Sequence, residues 1–325
     1  MPKAVVCREL GPPERLRLES FAPTPLPKGD VRVAVHAAGI NFPDILMAAG
    51  EYQLKPELPF TPGVEAAGEV TEIGEGVTGF TVGDRVIVKM RHGAYADEAM
   101  VSPSQLIPLP STFDYAEGAT FLAAHGTAYH ALIDRGQVRP GEVLLVHGAG
   151  GGVGLAAVEM GKMLGATVIA AASSEEKLAV AQARGADHLV LYPREPFRDA
   201  VKRITDGRGA DLVFDPVGGE ILENSLRCIA WGARILIIGF TGGIGMARTN
   251  LLLIKGASLL GVRAGEAVRR NPGLGAVRIK NLVDWAEAGK IRPHISHRVP
   301  LEDYAKAMRL LIERKAIGRV ALIVP

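Results

Sequence analysis

The sequence predicts an α/β protein of two parts, a doubly wound parallel sheet and a small β-barrel or β-sandwich domain, on three observations. Between about residues 31 and 104, short alternating runs are separated by glycine turns. After Ala116, strand patterns alternate with helix patterns in longer units. A glycine-rich turn, Gly148–Gly154, joins the first of those strands to the first of those helices. Many short strands with glycine turns are typical of a barrel or sandwich, and strand–helix alternation is typical of a parallel sheet.

The first part contains the short strands. Val31–Val35 alternates with period two, which indicates a strand with one buried face. Two further strands are predicted at Glu69–Ile73 and Arg85–Val88, with glycine turns between them.

The second part contains longer units. Its first strand, Val143–His147, is a continuous apolar run, as expected for a strand buried on both faces. A helical stretch to Leu164 follows the glycine turn, and another runs from Glu175 to Arg184. Such alternation favours a parallel sheet with right-handed crossovers. The remaining predicted strands are Thr167–Ala171, His188–Leu191, Asp211–Phe214, Ala233–Ile238 and Ser258–Val262.

The last part of the chain, from about Asn271, returns to a mixed pattern. It predicts helices near Val277–Glu287 and Leu301–Glu313 and a final strand at Arg319–Val324.

Charge and cysteine content narrow the class of protein. The formal net charge is +2 without a dense basic run, so no nucleic-acid partner is expected. Cys7 and Cys228 are far apart, which fits a reducing compartment without a disulfide framework. Met1–Leu10 carries charges within its apolar residues, which is not typical of a signal peptide. The sequence contains no uncharged apolar stretch of about 18 residues, so no membrane span is predicted. A cytoplasmic protein without a membrane partner is expected.

The glycine-rich turn carries the clearest chemical signal. Read against G-x-G-x-x-G, its glycines are Gly151 and Gly154, with Ala149 in the first place. A backbone without side chains can approach a pyrophosphate, and a helix N-terminus offers unpaired N–H groups to it. The backbone of Gly151, Gly152 and Val153 is therefore predicted to bind a dinucleotide. The alternative is a plain turn between core elements.

The residues after the next strand favour NADPH over NADH. An NAD enzyme usually carries an acid there, about 20 residues on, for the ribose 2′-hydroxyl. This chain has Ser173-Ser174, and Lys177 follows one turn later, where a cation can reach a 2′-phosphate. Glu175 and Glu176 argue against this, unless they point to solvent at the helix N-terminus. An ordinary surface role for Lys177 is the alternative.

Several motifs together resemble those of one superfamily over nearly the whole chain. Gly63–Val70, Val82–Val86, Ala124–Tyr129 and the Gly151–Gly154 turn are similar to signatures of medium-chain dehydrogenases/reductases. Asn41-Phe42-Pro43-Asp44 resembles the Asn-Phe-x-Asp segment of the zinc-free, zeta-crystallin-like quinone oxidoreductases of that superfamily.

The resemblance implies a domain organisation. It implies a discontinuous GroES-like catalytic domain, residues 1–122 and 266–325, around a Rossmann dinucleotide-binding domain, residues 123–265. It also implies a homodimer formed through the edge of the nucleotide-binding sheet. Leu251–Ile254 and Ser258–Val262 are the candidate interface segments, although both runs can equally be core.

Zinc-dependent relatives carry a cysteine at the place of Asn41, a histidine at that of Val64 and a third ligand near Ala123. Thiolate, imidazole or carboxylate ligands are needed for zinc, and these three side chains offer none. No metal is therefore expected.

The resemblance also implies roles for single residues. Asn41, Tyr52 and Arg263 would act at the reacting end of the cofactor, where donors can stabilise charge on an acceptor oxygen. The alternatives are purely structural: Asn41 could cap a turn, Tyr52 could be a loop aromatic, and Arg263 could lie at the exposed end of a strand. His130 stands where near relatives often have a tyrosine. The other implied cofactor contacts are Thr127, Tyr192 with Lys177 at the 2′-phosphate, Val217, Phe240 and Arg314.

The predicted function is NADPH-dependent, zinc-independent hydride transfer to a quinone or similar conjugated carbonyl. Two alternatives stay open: an enone or enoyl-thioester reductase on the same scaffold, and an NADPH-binding structural or RNA-binding protein with little turnover.

Overall fold

The computed structural model describes residues 1–192 and 194–325, which form two compact units. Unit 1 comprises Met1–Ala123 and Pro293–Pro325, and unit 2 comprises Ala124–Arg292. The end of the chain thus returns to the first unit. The return occurs at residue 293, whereas the family resemblance implies that the second segment of this domain begins at residue 266.

Unit 1 is built mainly from strands. Its helices are α1 (Phe42–Ala49), α2 (Tyr115–Ala119) and α11 (Tyr304–Ile312). Its strands are β1 (Lys3–Val6), β2 (Arg17–Ser20), β3 (Val31–Gly39), β4 (Glu65–Ile73), β5 (Arg85–Lys89), β6 (Glu98–Val101), β7 (Leu106–Pro108), β14 (Ile295–Pro300) and β15 (Arg319–Ile323).

The main sheet of unit 1 has the order β14-β15-β3-β4-β5-β7, with β6 also paired to β3. Within it β14 and β15 run parallel, and the other pairs run antiparallel. Val31, Val33 and Val35 are buried while the residues between them are partly exposed, so the period-two prediction for β3 is confirmed. The final strand, β15, lies inside this sheet between β14 and β3.

The candidate residue Asn41 lies at the start of α1. Asn41 is the N-cap, and its backbone N–H donates to the carboxylate of Asp44, 2.8 Å away. The helix ends at Gly50, whose φ of +77° is left-handed and therefore suits glycine.

Unit 2 is the predicted doubly wound domain. Its strands are β8 (Val143–Val146), β9 (Thr167–Ala172), β10 (His188–Leu191), β11 (Ala210–Asp215), β12 (Ile229–Ile237) and β13 (Ser258–Gly261). Helix α3 (Leu122–Tyr129) crosses into it, and its further helices are α4 (Gly152–Met163), α5 (Glu175–Ala183), α6 (Phe197–Ile204), α7 (Gly219–Ser225), α8 (Thr249–Lys255), α9 (Ala264–Arg270) and α10 (Pro272–Glu287).

Every strand pair of this sheet is parallel, in the order β10-β9-β8-β11-β12-β13. The order reverses beside β8, which is where open sheets of this kind bind ligands. The strands predicted for this region are confirmed, and so is the α/β class with its parallel doubly wound sheet.

Helix α10 belongs to unit 2 because of buried polar contacts. Arg278 is 4% exposed and donates to Asp134, 2.8 Å away. Asn281 donates to the hydroxyl of Tyr129 at 2.8 Å. A buried guanidinium is costly without its carboxylate, so this pair holds α10 against the segment after α3. Sequence periodicity does not show such pairing.

The helix bounds differ from the predictions at their starts. Helix α10 begins at Pro272, five residues earlier than predicted, because Asn271 caps it by accepting from Leu274 N–H. Residues 301–303 form a 3-10 turn, so α11 begins at Tyr304. Within the described part of the chain, no helix is long and apolar enough to cross a membrane.

The helical glycines allow a matched test of close packing. A Cβ added at Gly154 would lie 2.3 Å from the carbonyl oxygen of Gly148, whereas one added at Gly126 meets nothing within 4 Å. We expect Gly154→Ala to lower the free energy of unfolding by about 1–3 kcal/mol through backbone displacement. Gly126→Ala should be neutral or raise it by up to about 1 kcal/mol. Urea unfolding measures both, and equal effects would contradict the close approach.

Candidate cofactor and active site

The glycine turn after β8 brings backbone close to backbone. Gly151 is the N-cap of α4, so the first N–H groups of that helix have no acceptor one turn earlier. A Cβ at Gly150 would lie 2.5 Å from Cβ of Lys177, and one at Gly154 would meet the Gly148 carbonyl. The turn is therefore a side-chain-free cradle at a helix N-terminus, which fits a pyrophosphate.

Ser173, Ser174 and Lys177 lie beside this cradle, at the carboxyl end of β9. Ser174 caps α5 by accepting from Lys177 N–H. The Nζ of Lys177 lies 3.4 Å from Ser173 Oγ, so its ammonium stands next to a hydroxyl that follows the strand. Glu175 is ion-paired with Arg194 at 2.6 Å. Glu175, one of the two acids that argue against a 2′-phosphate, is thus partly neutralised by Arg194.

Tyr192 reaches from the end of β10 to the residue that precedes the glycine turn. Its hydroxyl lies 2.7 Å from His147 Nδ1 and accepts from Gly148 N–H at 3.4 Å. On its other side, His147 Nε2 lies 2.8 Å from Ser225 Oγ. Burial lowers the pKa of His147 to about 3 and raises that of Tyr192, because both charged forms would lose their hydration.

Val217 and Phe240 come together in loops after neighbouring strands. The carbonyl of Val217 accepts from Gly242 N–H at 2.7 Å, which pairs the loop after β11 with that after β12. Phe240, in the loop after β12, is 53% exposed, so its ring is accessible to a ligand.

Asp215 holds the first of these loops in place. Its Oδ1 accepts from Val217 and Gly218 N–H at 2.8 and 2.9 Å. Its Oδ2 is buried and makes no hydrogen bond to any residue that the structure describes. Burial raises the pKa of this carboxyl, and the two backbone N–H groups oppose that rise.

In unit 1 the candidate site is a buried ion pair with an amide beside it. The guanidinium of Arg319 contacts Glu65 Oε1 at 2.5 Å and donates to Asn41 Oδ1 at 2.9 Å. The Asn41 amide donates to the same carboxylate oxygen at 3.1 Å and to the Gly39 carbonyl at 3.3 Å. The amide of Asn41 is thus committed within unit 1, and the residue is only 5% exposed.

Asn41, Val64 and Ala123, where the resemblance implies zinc ligands in zinc-dependent proteins, lie next to this pair in space or in the chain. Ala123 N–H donates to Glu65 Oε2 at 2.8 Å, Val64 precedes Glu65 in the chain, and Asn41 contacts Oε1. These three residues present an amide that is already bonded, an isopropyl group and a methyl group. Among the described residues, no cluster of three or more His, Cys, Asp or Glu side chains suits a metal ion.

Asp44 extends the cluster to a tyrosine. Its Oδ2 accepts from Tyr95 Oη and from Asn41 N–H, each at 2.8 Å, and both side chains are fully buried. Burial raises the pKa of Asp44 to about 7, while these hydrogen bonds and the charge of Arg319 act against the rise and Glu65 adds to it.

The remaining predicted residues lie in exposed or half-buried positions. Tyr52 packs partly against the core of unit 1, and its hydroxyl makes no hydrogen bond to the part of the chain that the structure describes. Arg263 is exposed at the N-cap of α9 in unit 2. Thr127 is half-buried in α3, and Arg314 is exposed in unit 1 with a left-handed φ of +57°.

Sequence reasoning missed Glu65, Arg319, Tyr95 and His147 as parts of these sites. Glu65 and Arg319 are each the first residue of a largely apolar strand, and a charged residue in that place was the available signal. A charge at a buried strand position needs a partner, but nothing in the sequence says which residue supplies it.

Comparison with known proteins gives consistent matches. Residues 27–111 match a family model described as the alcohol dehydrogenase GroES-like domain, and residues 152–277 match one described as zinc-binding dehydrogenase. A quinone oxidoreductase-like protein 2 homolog of Nematostella vectensis is 38% identical over 98% of this chain and 88% of its own length.

Two solved structures share the fold over 99% of this chain and 100% of their own. An NAD-dependent alcohol dehydrogenase is 32% identical with a TM-score of 0.91. A mycobacterial protein solved in complex with NADPH is 30% identical with a TM-score of 0.90.

The buried ion pair allows a stability test with a matched arginine. Arg319→Met leaves Glu65 buried without a cation, so we expect a loss of about 3–5 kcal/mol in the free energy of unfolding. Adding Glu65→Gln should recover much of it. Arg298 pairs with Asp114 at 2.6 Å, but both side chains are about half exposed, so Arg298→Met should cost at most about 1 kcal/mol. Urea unfolding measures the free energy of unfolding of each variant. Similar losses for Arg319→Met and Arg298→Met would refute the claim that burial makes the Arg319–Glu65 pair more important for stability.

Proposed function

Because this chain belongs to the quinone oxidoreductase branch of the medium-chain dehydrogenase/reductase superfamily, we propose that it is an NADPH-dependent, zinc-independent reductase of quinones or similar conjugated carbonyls. The observation that carries the proposal is the arrangement in unit 1, where a bonded amide and an ion pair stand at the zinc-ligand positions of relatives.

The residues of unit 2 fit NADPH. A side chain at Gly150 or Gly154 of the cradle would clash with its neighbours, and the cradle ends in the N-terminus of α4. Lys177 and Ser173 supply a cation and a hydroxyl where the 2′-phosphate would lie, and no acid ends β9. We assign the backbone of Gly151, Gly152 and Val153 to the pyrophosphate. Ser173, Ser174 and Lys177 are assigned to the adenosine phosphate, and Thr127, Val217, Phe240 and Arg314 to the remaining contacts.

When bound, NADPH supplies a hydride from C4 of its nicotinamide. The protein has to position the acceptor and stabilise the negative charge that develops on its oxygen. Tyr52 and Arg263 are the proposed donors, since neither side chain makes a hydrogen bond to the described residues. Asn41 contributes by holding Glu65 and Arg319, because its own amide is already bonded.

A quinone suits a site of this kind. Hydride addition to a quinone gives a hydroquinone monoanion, whose oxygen water can protonate directly, so no dedicated general acid is needed. An enone differs, because its enolate has to be protonated on carbon, which makes a positioned acid more important. The choice between these acceptors is therefore a matter of how strongly the reaction depends on Tyr52.

We also propose that the protein is a homodimer formed through the edge of the sheet in unit 2. Strand β13 pairs only with β12 among the described strands, so it is an edge strand at which a second copy could add its own strand. Leu253 and Ile254 of α8 are 81% and 63% exposed, and Trp231, 77% exposed, lies against Gly256. Leu251 and Leu252, in contrast, pack against the core of unit 2. A cytoplasmic location is proposed with it, supported by the unpaired Cys7 and Cys228.

The activity test is the loss of NADPH absorbance with 9,10-phenanthrenequinone, repeated with NADH and with a chelator. We expect turnover with NADPH, weak turnover with NADH and no effect of the chelator. Lys177→Ala should raise the KM for NADPH about 10–100-fold, as loss of a charge-assisted phosphate contact predicts, and leave that for NADH nearly unchanged.

The control for that variant is Lys280→Ala. Lys280 is an exposed helical lysine, bonded to Asp284 at 2.6 Å, and its loss should change neither KM. Binding of NADPH without quinone turnover would exclude quinone reduction, and turnover of an enone panel would then assign the alternative acceptor. Equal use of both dinucleotides would exclude the NADPH preference.

The dimer proposal predicts the effect of a charge at the sheet edge. Leu253→Asp with Leu259→Lys should shift the mass in solution from dimer to monomer, because each charge would be buried at the interface. Val82→Asp changes an apolar residue of unit 1 whose exposure, 64%, lies between those of Leu253 and Leu259, and it should leave the dimer intact. Light scattering after gel filtration measures the mass, and a wild-type monomer would refute the proposal.

A further inference from the structure

Three side chains of unit 2 form one continuous chain of hydrogen bonds beneath the glycine turn. Tyr192 contacts His147 Nδ1 at 2.7 Å, and His147 Nε2 contacts Ser225 Oγ at 2.8 Å. The two ends are backbone groups: the carbonyl of Ile221 at 2.7 Å from Ser225 Oγ, and Gly148 N–H at 3.4 Å from the tyrosine hydroxyl. The chain therefore joins α7, the end of β8 and the end of β10.

The ends of this chain determine where its protons lie. The hydroxyl of Ser225 donates to the carbonyl of Ile221, four residues earlier in α7, so His147 Nε2 has to donate to Ser225. A neutral imidazole carries one N–H, and Nδ1 is then an acceptor. The hydroxyl of Tyr192 donates to it and accepts from Gly148 N–H with its oxygen. This arrangement uses every proton, whereas the reverse direction leaves the Tyr192 hydroxyl without an acceptor among the described residues.

The surroundings of His147 hold it neutral. Its side chain is fully buried, and the ring of Phe197 packs edge-on at 4.7 Å. Its two nitrogens contact hydroxyl groups, and neither contacts a carboxylate of the described residues, so no negative charge would compensate a positive one there.

We propose that His147 is a positioning residue that fixes the Tyr192 hydroxyl on Gly148, so that Tyr192 supports the pyrophosphate turn and does not donate to the 2′-phosphate. The inference rests on the proposed dinucleotide-binding function and revises the role that family resemblance implies for Tyr192. Discrimination between NADPH and NADH then depends on Lys177 and Ser173.

The position of Gly148 shows how the effect reaches the cofactor. Its carbonyl accepts from Gly151 N–H at 2.9 Å and lies against Gly154. Gly148 itself has a left-handed φ of +55°, which a hydrogen bond to its N–H helps to hold. A displaced Gly148 peptide would therefore move the N-terminus of α4, where a pyrophosphate would bind.

The binding test compares NADPH with NADH by fluorescence titration. We expect Tyr192→Phe and His147→Met each to raise both dissociation constants about 5–20-fold, with their ratio changed by less than about twofold, since both dinucleotides share the pyrophosphate. The double variant should be no worse than the poorer single one, because the residues act in one chain. His147→Gln offers one donor and one acceptor and should restore much of the affinity. His188→Met, at an exposed histidine of β10, should change neither constant.

A selective loss of NADPH affinity in Tyr192→Phe would overturn the inference, because it would place the hydroxyl on the 2′-phosphate. Failure of His147→Gln to restore any affinity would overturn it too, since a general loss of structure would then explain His147→Met. Failure of the wild-type protein to bind either dinucleotide would instead overturn the proposed function.

A second measurement does not depend on variants that fold. Nitrogen-15 NMR of the wild-type protein, with and without NADPH, should show His147 as a neutral imidazole with its proton on Nε2 from pH 5 to 8. A proton on Nδ1, or titration of His147 near pH 6.5, would refute the proposed direction of the chain.

Discussion

The candidate site of unit 1 depends on one buried ion pair, Arg319 with Glu65. A guanidinium and a carboxylate removed from water are stable only when each satisfies the other and the remaining donors find acceptors. Here those donors and acceptors are the amide of Asn41, the carbonyl of Thr120 and the N–H of Ala123. The pair therefore fixes β4 and β15, the N-cap of α1 and the turn before α3. The polar groups of Asn41, Glu65 and Arg319 are thus bonded to one another.

The glycine turn of unit 2 is held by backbone packing and hydrogen bonds, and not by a buried ion pair. A dinucleotide turn has to keep its N–H groups available and its peptide planes in one orientation, and glycine supplies the access but not the rigidity. The close packing of Gly150 and Gly154 and the bond from Gly148 to Tyr192 restrict the turn from below. The proposed roles separate affinity for the pyrophosphate, assigned to this turn, from preference for the 2′-phosphate, assigned to Lys177, whose Nζ lies 3.4 Å from Ser173 Oγ after β9.

Prediction from sequence succeeded where the signal is periodic. Strands such as β3 and β8 have a fixed alternation or a continuous apolar run, and their bounds were found within a few residues. Prediction was poorer where a partner lies far along the chain. Nothing local indicates that Arg278 pairs with Asp134, 144 residues away, although this pair holds α10 in unit 2. The same limit hid the partners of Asn41, which lie 24 and 278 residues away.

The sequence by itself determined the fold class, the parallel sheet, the glycine turn and the absence of an acid after β9, because each follows from neighbouring residues and their spacing. The tertiary structure decided which polar groups are available. Asn41 and Tyr192 are both polar residues at motif positions, yet their hydrogen-bonding groups are already used, by Glu65 and Arg319 in one case and by His147 in the other. Hydrogen-bond capacity is fixed by residue type, but whether it remains for a ligand depends on partners that only folding brings within 3 Å or so.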